Sequence, residues 1–366
     1  MIGGMLVESS AMRDNRSMAD ENGVVRVGVV GAGAFGRNHA RVYRELAVDP
    51  SQHIEFVGVA DTNLARAQAV AAEFNTRPFH SAEELIGAGV DAASVAVPTV
   101  LHLEVARALI QAGIDVLIEK PLAATGAEAD ELIAFANANS RIAQAGHLER
   151  FNPAVRATFP LLTRPMFFEV HRLSVFTQRS LDVDVVLDLM IHDIDIVLAF
   201  TRSKVKEIRA VGLPILSKKV DIANVRMEFD SGCVANFTAS RVSTERVRKL
   251  RFFQPRQYVS LDYSRQDVLV LTVEDEVPEP LGLDPFNPAS VTASAFPAIV
   301  PFKPKVEQQE PLKAEISSFL DAVRRRSQPE VTLEAGRDAL AVAMHVVEAI
   351  AAHAERAHLS ELIKAM

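Results

Sequence analysis

The chain has 366 residues, a length that suits about two domains. A net charge of −8 and a pI near 5.7 argue against non-specific binding to nucleic acid or anionic membrane. The single cysteine, Cys233, excludes an internal disulfide and any cysteine-based metal cluster, which fits a reducing cytoplasm.

Residues 1–23 are polar and lack a basic stretch followed by an apolar core, so they read as a flexible tail, not a signal peptide. Met12 and Met18 are alternative starts. No apolar run reaches the roughly 18 residues of a membrane span. An apolar run over 24–30 then breaks into Gly31-Ala32-Gly33-Ala34-Phe35-Gly36, and an amphipathic pattern follows. This reads as strand, tight turn, helix. Gly31 allows the sharp turn, Gly33 a close approach to a pyrophosphate, and Gly36 tight packing of helix on strand. The helix N-terminus, from Ala34 and Phe35 onward, faces the phosphates. The next apolar strand, 54–60, ends in Asp61. A carboxylate there binds both ribose hydroxyls of NAD and repels the 2′-phosphate of NADP, so NAD is expected over NADP. Arg66 is a cation that can reach back. An ordinary βαβ unit with a glycine turn is the plainer alternative.

Further strands are expected at 92–97, 115–118 and 142–146, and helices at 38–46, 63–73, 81–87, 101–112 and 126–138. Ser81, ahead of Glu83 and Glu84, has the look of an N-cap. The alternation implies a parallel sheet covered on both faces, a Rossmann domain over 24–146. In such sheets ligands sit at the carboxyl ends of the strands. Pro98, Thr99 and His102 follow one such end, although a plain strand-to-helix turn would look the same. Glu119 and Lys120 follow another, with Pro121 fixing the exit of the chain. A partly desolvated lysine there has a lowered pKa and can accept a proton. A surface lysine after a core strand is the alternative.

After about residue 151 the texture changes. Stretches 167–173 and 224–229 alternate with the two-residue period of strands that have one wet face. Asp230-Ser231-Gly232 signals a hairpin, with 233–239 returning. Strands follow at 249–253, 258–262 and 268–273. The fold class is therefore α/β plus α+β: a Rossmann sheet, then a second domain over 147–308 on a large, mostly antiparallel open sheet. Its helices are too few to cover both faces, so a homo-oligomer, dimer or tetramer, is expected through that sheet, with 233–239 a contributor. The proline-rich stretch 278–304 reads as an excursion or flexible loop. The end, 309–366, is helical at 310–325 and 333–354 and is expected to pack back on the body.

Within 185–200, Asp188 and His192 stand four apart, so on a helix they share a face and can touch. A carboxylate beside an imidazole fixes its tautomer and raises its basicity. The pair also reads as a cap or staple of a buried helix. Asp193 and Asp195 read as its solvated face. Asp188, His192 and Asp195 as a metal set lack a completing Cys or His, so no metal is expected.

These marks, taken together and in order, resemble the Gfo/Idh/MocA family of sugar and cyclitol dehydrogenases, named for glucose–fructose oxidoreductase and inositol dehydrogenase. They are the glycine turn, Ala60-Asp61, Pro98-Thr99 with His102, Glu119-Lys120-Pro121, and Asp188 with His192. The resemblance implies oxidation of a sugar hydroxyl by NAD or NADP, with Lys120 and His192 sharing proton transfer and Asp188 assisting. Gly146-His147-Leu148-Glu149-Arg150-Phe151-Asn152-Pro153, with Glu169-Val170-His171-Arg172 and Arg179, is similar to the branch containing UDP-N-acetylglucosamine 3-dehydrogenases. That branch oxidises the sugar C3 hydroxyl to a ketone. Arg150, Arg172 and Arg179 can supply forked donors to a diphosphate, with Asn152 beside them; two of the three as surface arginines is the alternative. His147 reads as structural. The expected activity is NAD-linked oxidation of a secondary hydroxyl of a nucleotide sugar. A free sugar or inositol substrate is the rival enzyme reading, and a non-catalytic NAD-sensing regulator the rival from another class.

Overall fold

The computed structural model describes residues 23–176, 183–274 and 298–359. The expected tail apart from Gly23, Arg179, and residues 278–297 of the expected loop lie outside them.

The first sheet is built from β1 (Val25–Val30), β2 (Ile54–Ala60), β3 (Arg77–Phe79), β4 (Ala92–Val95), β5 (Asp115–Glu119) and β6 (Ala143–Gly146). The strands are parallel in the order β3-β2-β1-β4-β5-β6. They are almost continuously apolar because both faces are covered. Helix α1 (Ala34–Val48) and the late helix Pro311–Arg325 cover one face, where Val27 and Val29 meet Tyr43, Phe319 and Leu320. Helices α3 (Ala82–Gly87), α4 (His102–Gln111) and α5 (Gly126–Ala138) cover the other, bringing Leu85, Leu109 and Leu132. Helix α2 (Leu64–Glu73) caps the β2 side, and Asn63 accepts from the Arg66 amide at its start. Ser81 caps α3 in the same way. The short β3 carries two exposed residues, Arg77 and Pro78, and has no apolar run to betray it. The strand order reverses between β1 and β4, so the ends of β1, β4 and β5 open onto one crevice.

The second sheet has the order β14-β13-β12-β11-β7-β10-β9-β8. Its strands are β7 (Phe167–Val175), β8 (Val205–Leu213), β9 (Ile222–Phe229), β10 (Val234–Ser243), β11 (Val247–Gln254), β12 (Gln257–Asp262), β13 (Asp267–Glu274) and β14 (Ala298–Phe302). Every pairing is antiparallel except β7 with β10. One face carries Phe168, Val170, Phe237 and Phe252 into a core shared with α7 (Ile191–Thr201) and the last helix, Leu333–Arg356. Burying each of those phenylalanines contributes roughly 1.5–3 kcal/mol. The last helix packs on β8, α5 and α7, so it touches both sheets' layers.

Three expectations change. The stretch 298–302 is not loop but the edge strand β14, paired with β13. In β10 the apolar residues Ala235, Phe237 and Ala239 are buried in the core, so of this strand the alternate residues, Val234 among them, are the ones left to meet a second copy. The helix over 185–200 begins as a π-turn, Val186–Met190, before α7. Such wide turns gather at functional sites.

Candidate active site

The glycine turn joins β1 to α1 with the shape a dinucleotide requires. Gly31 has φ +103°, and a Cβ on it would lie 2.4 Å from the Ala96 carbonyl oxygen. A Cβ on Gly36 would lie 1.7 Å from the Gly31 carbonyl oxygen. Gly33 differs: a Cβ there would meet nothing within 4 Å. That open space lies at the N-cap of α1, where no side chain caps the helix, so the first amides are free for an anion. Asp61 closes the other side. Its Oδ2 accepts from the Ala32 amide and its Oδ1 from the Asn63 amide, each at 2.8 Å. Arg66 lies 3.5 Å from the same carboxylate. The residues present therefore fit a bound dinucleotide, with Gly33, Ala34 and Phe35 at the phosphates and Asp61 at a ribose.

The ends of β4 and β5 form the floor of a crevice of about 500 Å³ lined by Phe35, Pro98, Thr99, Lys120, Asp188 and Met344. His102 is not on that surface. It is buried, with Nε2 against the Val97 carbonyl (3.0 Å) and Nδ1 against the Pro121 carbonyl (3.0 Å). It ties the β4 exit to the β5 exit through these carbonyls. Glu119 lines the crevice but turns its carboxylate inward, where Oε1 meets His39 Nε2 at 2.7 Å.

Lys120 follows Glu119, and the Lys120–Pro121 peptide is cis. Its side chain is 7% exposed. Nζ donates to the Asp188 carbonyl at 2.7 Å and lies 3.6 Å from the Asp188 carboxylate. Burial pushes the ammonium below its ordinary pKa, opposed by the charges of Asp188 and Glu119. A lysine so placed surrenders its proton more readily than an exposed one, as a proton acceptor in catalysis must.

The expected Asp188–His192 contact is not made. Asp188 sits in the π-turn and faces Lys120 instead, because an ammonium is the stronger partner for a carboxylate. His192 opens α7 nearby. Its Nδ1 is buried with no hydrogen-bond partner among the described residues. Burial, then the charges of Lys120 and Arg172, hold its pKa well below the usual range, so the ring is neutral.

The polar residues expected to bind a diphosphate are otherwise engaged. Arg172 is buried; Nε and Nη2 reach Asp193 at 2.6 and 2.9 Å, and Nη1 reaches Glu149 at 3.0 Å. Arg150 grips Asp195 at 2.6 and 2.9 Å. Asn152 caps α6 (Pro153–Thr158) and donates to Glu149 and to the Tyr263 carbonyl. Arg150 through Nε and Nη2, and Arg172 through Nε, Nη1 and Nη2, grip these carboxylates and fasten α7 to the rest of the molecule. Asp193 and Asp195, expected on a solvated face, are buried for the same reason. Sequence reading missed Arg248 on β11, whose side chain is 40% exposed and whose charge further depresses His192. It missed as well the wall that Leu340, Met344, Val347 and Glu348 of the last helix give the crevice. On the page those residues look like an ordinary amphipathic helix, and nothing in their spacing marks them.

Residues 25–147 match the model of the oxidoreductase family with the NAD-binding Rossmann fold, Gfo/Idh/MocA, and residues 154–256 match the family's C-terminal domain. The chain belongs to the Gfo/Idh/MocA family. Among similar members, the UDP-N-acetylglucosamine 3-dehydrogenase of Acidithiobacillus ferrooxidans is 34% identical over 91% of this chain and 99% of its own length. A solved structure of that enzyme superposes with a TM-score of 0.78, covering 89% of this chain and 98% of the other. Inositol 2-dehydrogenase 1 of Saccharopolyspora erythraea is 42% identical, over 36% of this chain and 39% of its own. A levoglucosan dehydrogenase in complex with NADH and levoglucosan is 17% identical with a TM-score of 0.76, a likeness of fold alone; it covers 89% of this chain and 97% of the other. Family membership makes the chain an oxidoreductase with an NAD-binding domain acting on CH–OH groups, and its two sheets have the layout expected from the strand pattern. Among the described residues no helix is long and apolar enough to cross a membrane.

Proposed function

We propose that the chain oxidises the C3 hydroxyl of UDP-N-acetylglucosamine to a 3-keto sugar, with NAD preferred over NADP. The observation that carries this reading is the part-buried Lys120–Asp188 pair on the floor of the crevice beside the glycine turn. The 34% identity over nearly the whole chain to an enzyme of that name supports the substrate. Bound on the turn, NAD supplies the acceptor for the hydride that leaves the sugar carbon. Lys120 Nζ, deprotonated, takes the hydroxyl proton. Asp188 holds Nζ in place through its carbonyl and raises its proton affinity through its carboxylate. His192, neutral, shares the proton or donates to the forming carbonyl oxygen. The apolar residues Leu340, Met344 and Val347 of the last helix line this part of the crevice. Arg248, 40% exposed and 4.0 Å from Glu149, is less engaged than Arg150 and Arg172 and suits a diphosphate better.

A free sugar or inositol is the second enzyme reading, favoured by the inositol 2-dehydrogenase likeness, which covers 36% of the chain. A regulator that senses NAD without turnover has no use for a desolvated lysine paired with Asp188. The test is NADH formation measured with UDP-sugars and, separately, with free sugars and polyols. Turnover confined to the free polyols would replace the nucleotide-sugar reading. Tight NAD binding with no turnover on either panel would favour the sensor.

A further inference from the structure

Beneath the crevice runs a buried chain of polar side chains that the proposed reaction does not itself use. Glu119 Oε1 meets His39 Nε2 at 2.7 Å; His39 Nδ1 meets Ser94 Oγ at 2.9 Å; Ser94 Oγ meets Tyr43 Oη at 2.9 Å. The links join β5, α1 and β4, and every side chain in them is at most 6% exposed. Its direction follows from chemistry. An ionised carboxylate only accepts, so Nε2–H donates to Glu119. Nδ1 is then left to accept from the Ser94 hydroxyl, and Ser94 Oγ accepts from Tyr43. Burial pushes the Tyr43 phenol up, so it keeps its proton as the head of the chain. A hydrogen-bond chain with all donors pointing one way strengthens its terminal bond.

We infer that His39 is a positioning residue for the reaction, holding Glu119 ionised beside Lys120 and so setting how readily Lys120 gives up its proton. The inference rests on Lys120 as the proton acceptor proposed above. Burial alone would drive the Glu119 carboxyl up; the His39 hydrogen bond is the largest of the contacts with His39 and Lys120 that overcome it and hold it below its ordinary value. The contrast is Glu315, on the helix Pro311–Arg325. It is fully buried, neither carboxylate oxygen has a partner among the described residues, and burial with the charge of Glu119 pushes it well above the carboxylate range. Without His39, Glu119 would lose the largest contact opposing its burial and would move toward that state. The other titratable or charged groups whose fields reach Glu119 or Lys120 are His102 on α4, His147 after β6, Asp188 in the π-turn, Arg172 on β7 and His192 on α7. Among these, Glu119 and Asp188 are the ones that raise the proton affinity of Lys120.

The sign follows. If Glu119 takes a proton, Lys120 loses a neighbouring anion and releases its own proton at lower pH. The experiment titrates the Lys120 15Nζ resonance in the cofactor-free full chain, assigned against Lys120→Ala. Alongside it runs the pH dependence of kcat/KM for oxidation. His39→Leu and Glu119→Gln should each lower the Lys120 midpoint by about one unit, and the acidic limb of kcat/KM should move with it. His39→Gln, whose amide N–H reaches where Nε2 does, should restore the wild-type midpoint. Should His39→Leu fail to fold, the near-isosteric Glu119→Gln carries the test. A Lys120 midpoint in Glu119→Gln unchanged from wild type would overturn the inference. The reading of Lys120 as base fails separately, if Lys120→Ala keeps its turnover.

Discussion

The ammonium of Lys120 donates to the backbone carbonyl of Asp188 at 2.7 Å, across 68 positions of sequence. The contact joins the exit of the first sheet to the π-turn of the second half, so the reacting lysine is held by both. Its consequence is a lysine fixed in one place with its charge only partly balanced. Lys120→Ala should therefore lose about a hundredfold to ten-thousandfold in turnover, with NAD affinity, read by fluorescence titration, nearly unchanged. His192→Ala should fall in the same range if it shares the proton. A normal rate for Lys120→Ala would make His192 alone the base, and a loss of NAD affinity in both would withdraw them as proton carriers.

Asp188→Asn keeps the backbone carbonyl that Nζ uses and removes only the carboxylate. It should cost less than Lys120→Ala. The carboxylate raises the Lys120 proton affinity, so removing it lets Lys120 deprotonate at lower pH. The acidic limb of the oxidation profile should shift to lower pH, and a shift to higher pH would contradict the assignment.

The glycines of the turn separate binding from folding. A Cβ on Gly33 enters open space, so Gly33→Ala should fold with an unchanged melting temperature yet bind NAD about tenfold more weakly or worse, because that space is where a pyrophosphate would lie. A Cβ on Gly36 collides with the Gly31 carbonyl, so Gly36→Ala should lose about 1–3 kcal/mol of stability by overpacking. Asp61→Ala should erase the preference for NAD over NADP, since Arg66 would then be freed to meet a 2′-phosphate. Equal catalytic efficiency with both cofactors in the unaltered protein would remove the premise.

Much of this site was legible in the residues because its parts are local. The glycine turn, Asp61 and Lys120 each sit at a strand end, and a strand of apolar residues announces its own end. What stayed hidden depends on distant pairing. Arg172 and Arg150 read as free forks because their carboxylates lie 21 and 45 positions away, in α7. Asp193 and Asp195 read as solvent-facing because charge on a helix usually is; burial is tolerable for them only because those arginines arrive. The π-turn at Val186–Met190 leaves no periodic trace, and it is what takes Asp188 to Lys120. His39 looked like one more residue on α1, with nothing nearby in sequence to suggest a partner 80 positions on.

Arg172 should matter for stability more than for substrate. Arg172→Leu strands Asp193 and Glu149 without their shared partner in a buried setting. Leaving a buried charge uncompensated costs about 3–5 kcal/mol. Urea unfolding should show a loss of that order. A stable Arg172→Leu protein with a selectively raised KM for the UDP-sugar would return Arg172 to substrate binding.

The open face of the second sheet carries the last prediction. The buried face of β10 is spent on the core, so any contact with a second copy must use the opposite face. There a row crosses the strands: Leu271, Tyr258, Phe253, Phe167 and Val234 are paired neighbour to neighbour. Phe253 is 40% exposed, and its ring lies 5.1 Å from Tyr258 and 5.8 Å from Phe167. Beside it lie charges of both signs, with Arg251 3.8 Å from Glu169 and Lys249 3.9 Å from Asp262. An apolar row flanked by mixed charge suits a two-fold contact, since each half presents both the patch and its complement. The protein should therefore run as a dimer or a higher even oligomer by light scattering at micromolar concentration. Phe253→Asp, which puts a charge at the middle of the row without touching the core, should shift it to monomer while leaving NAD binding intact. A monomeric mass for the unaltered protein would sink the prediction, and an unshifted oligomer in Phe253→Asp would move the contact off this face.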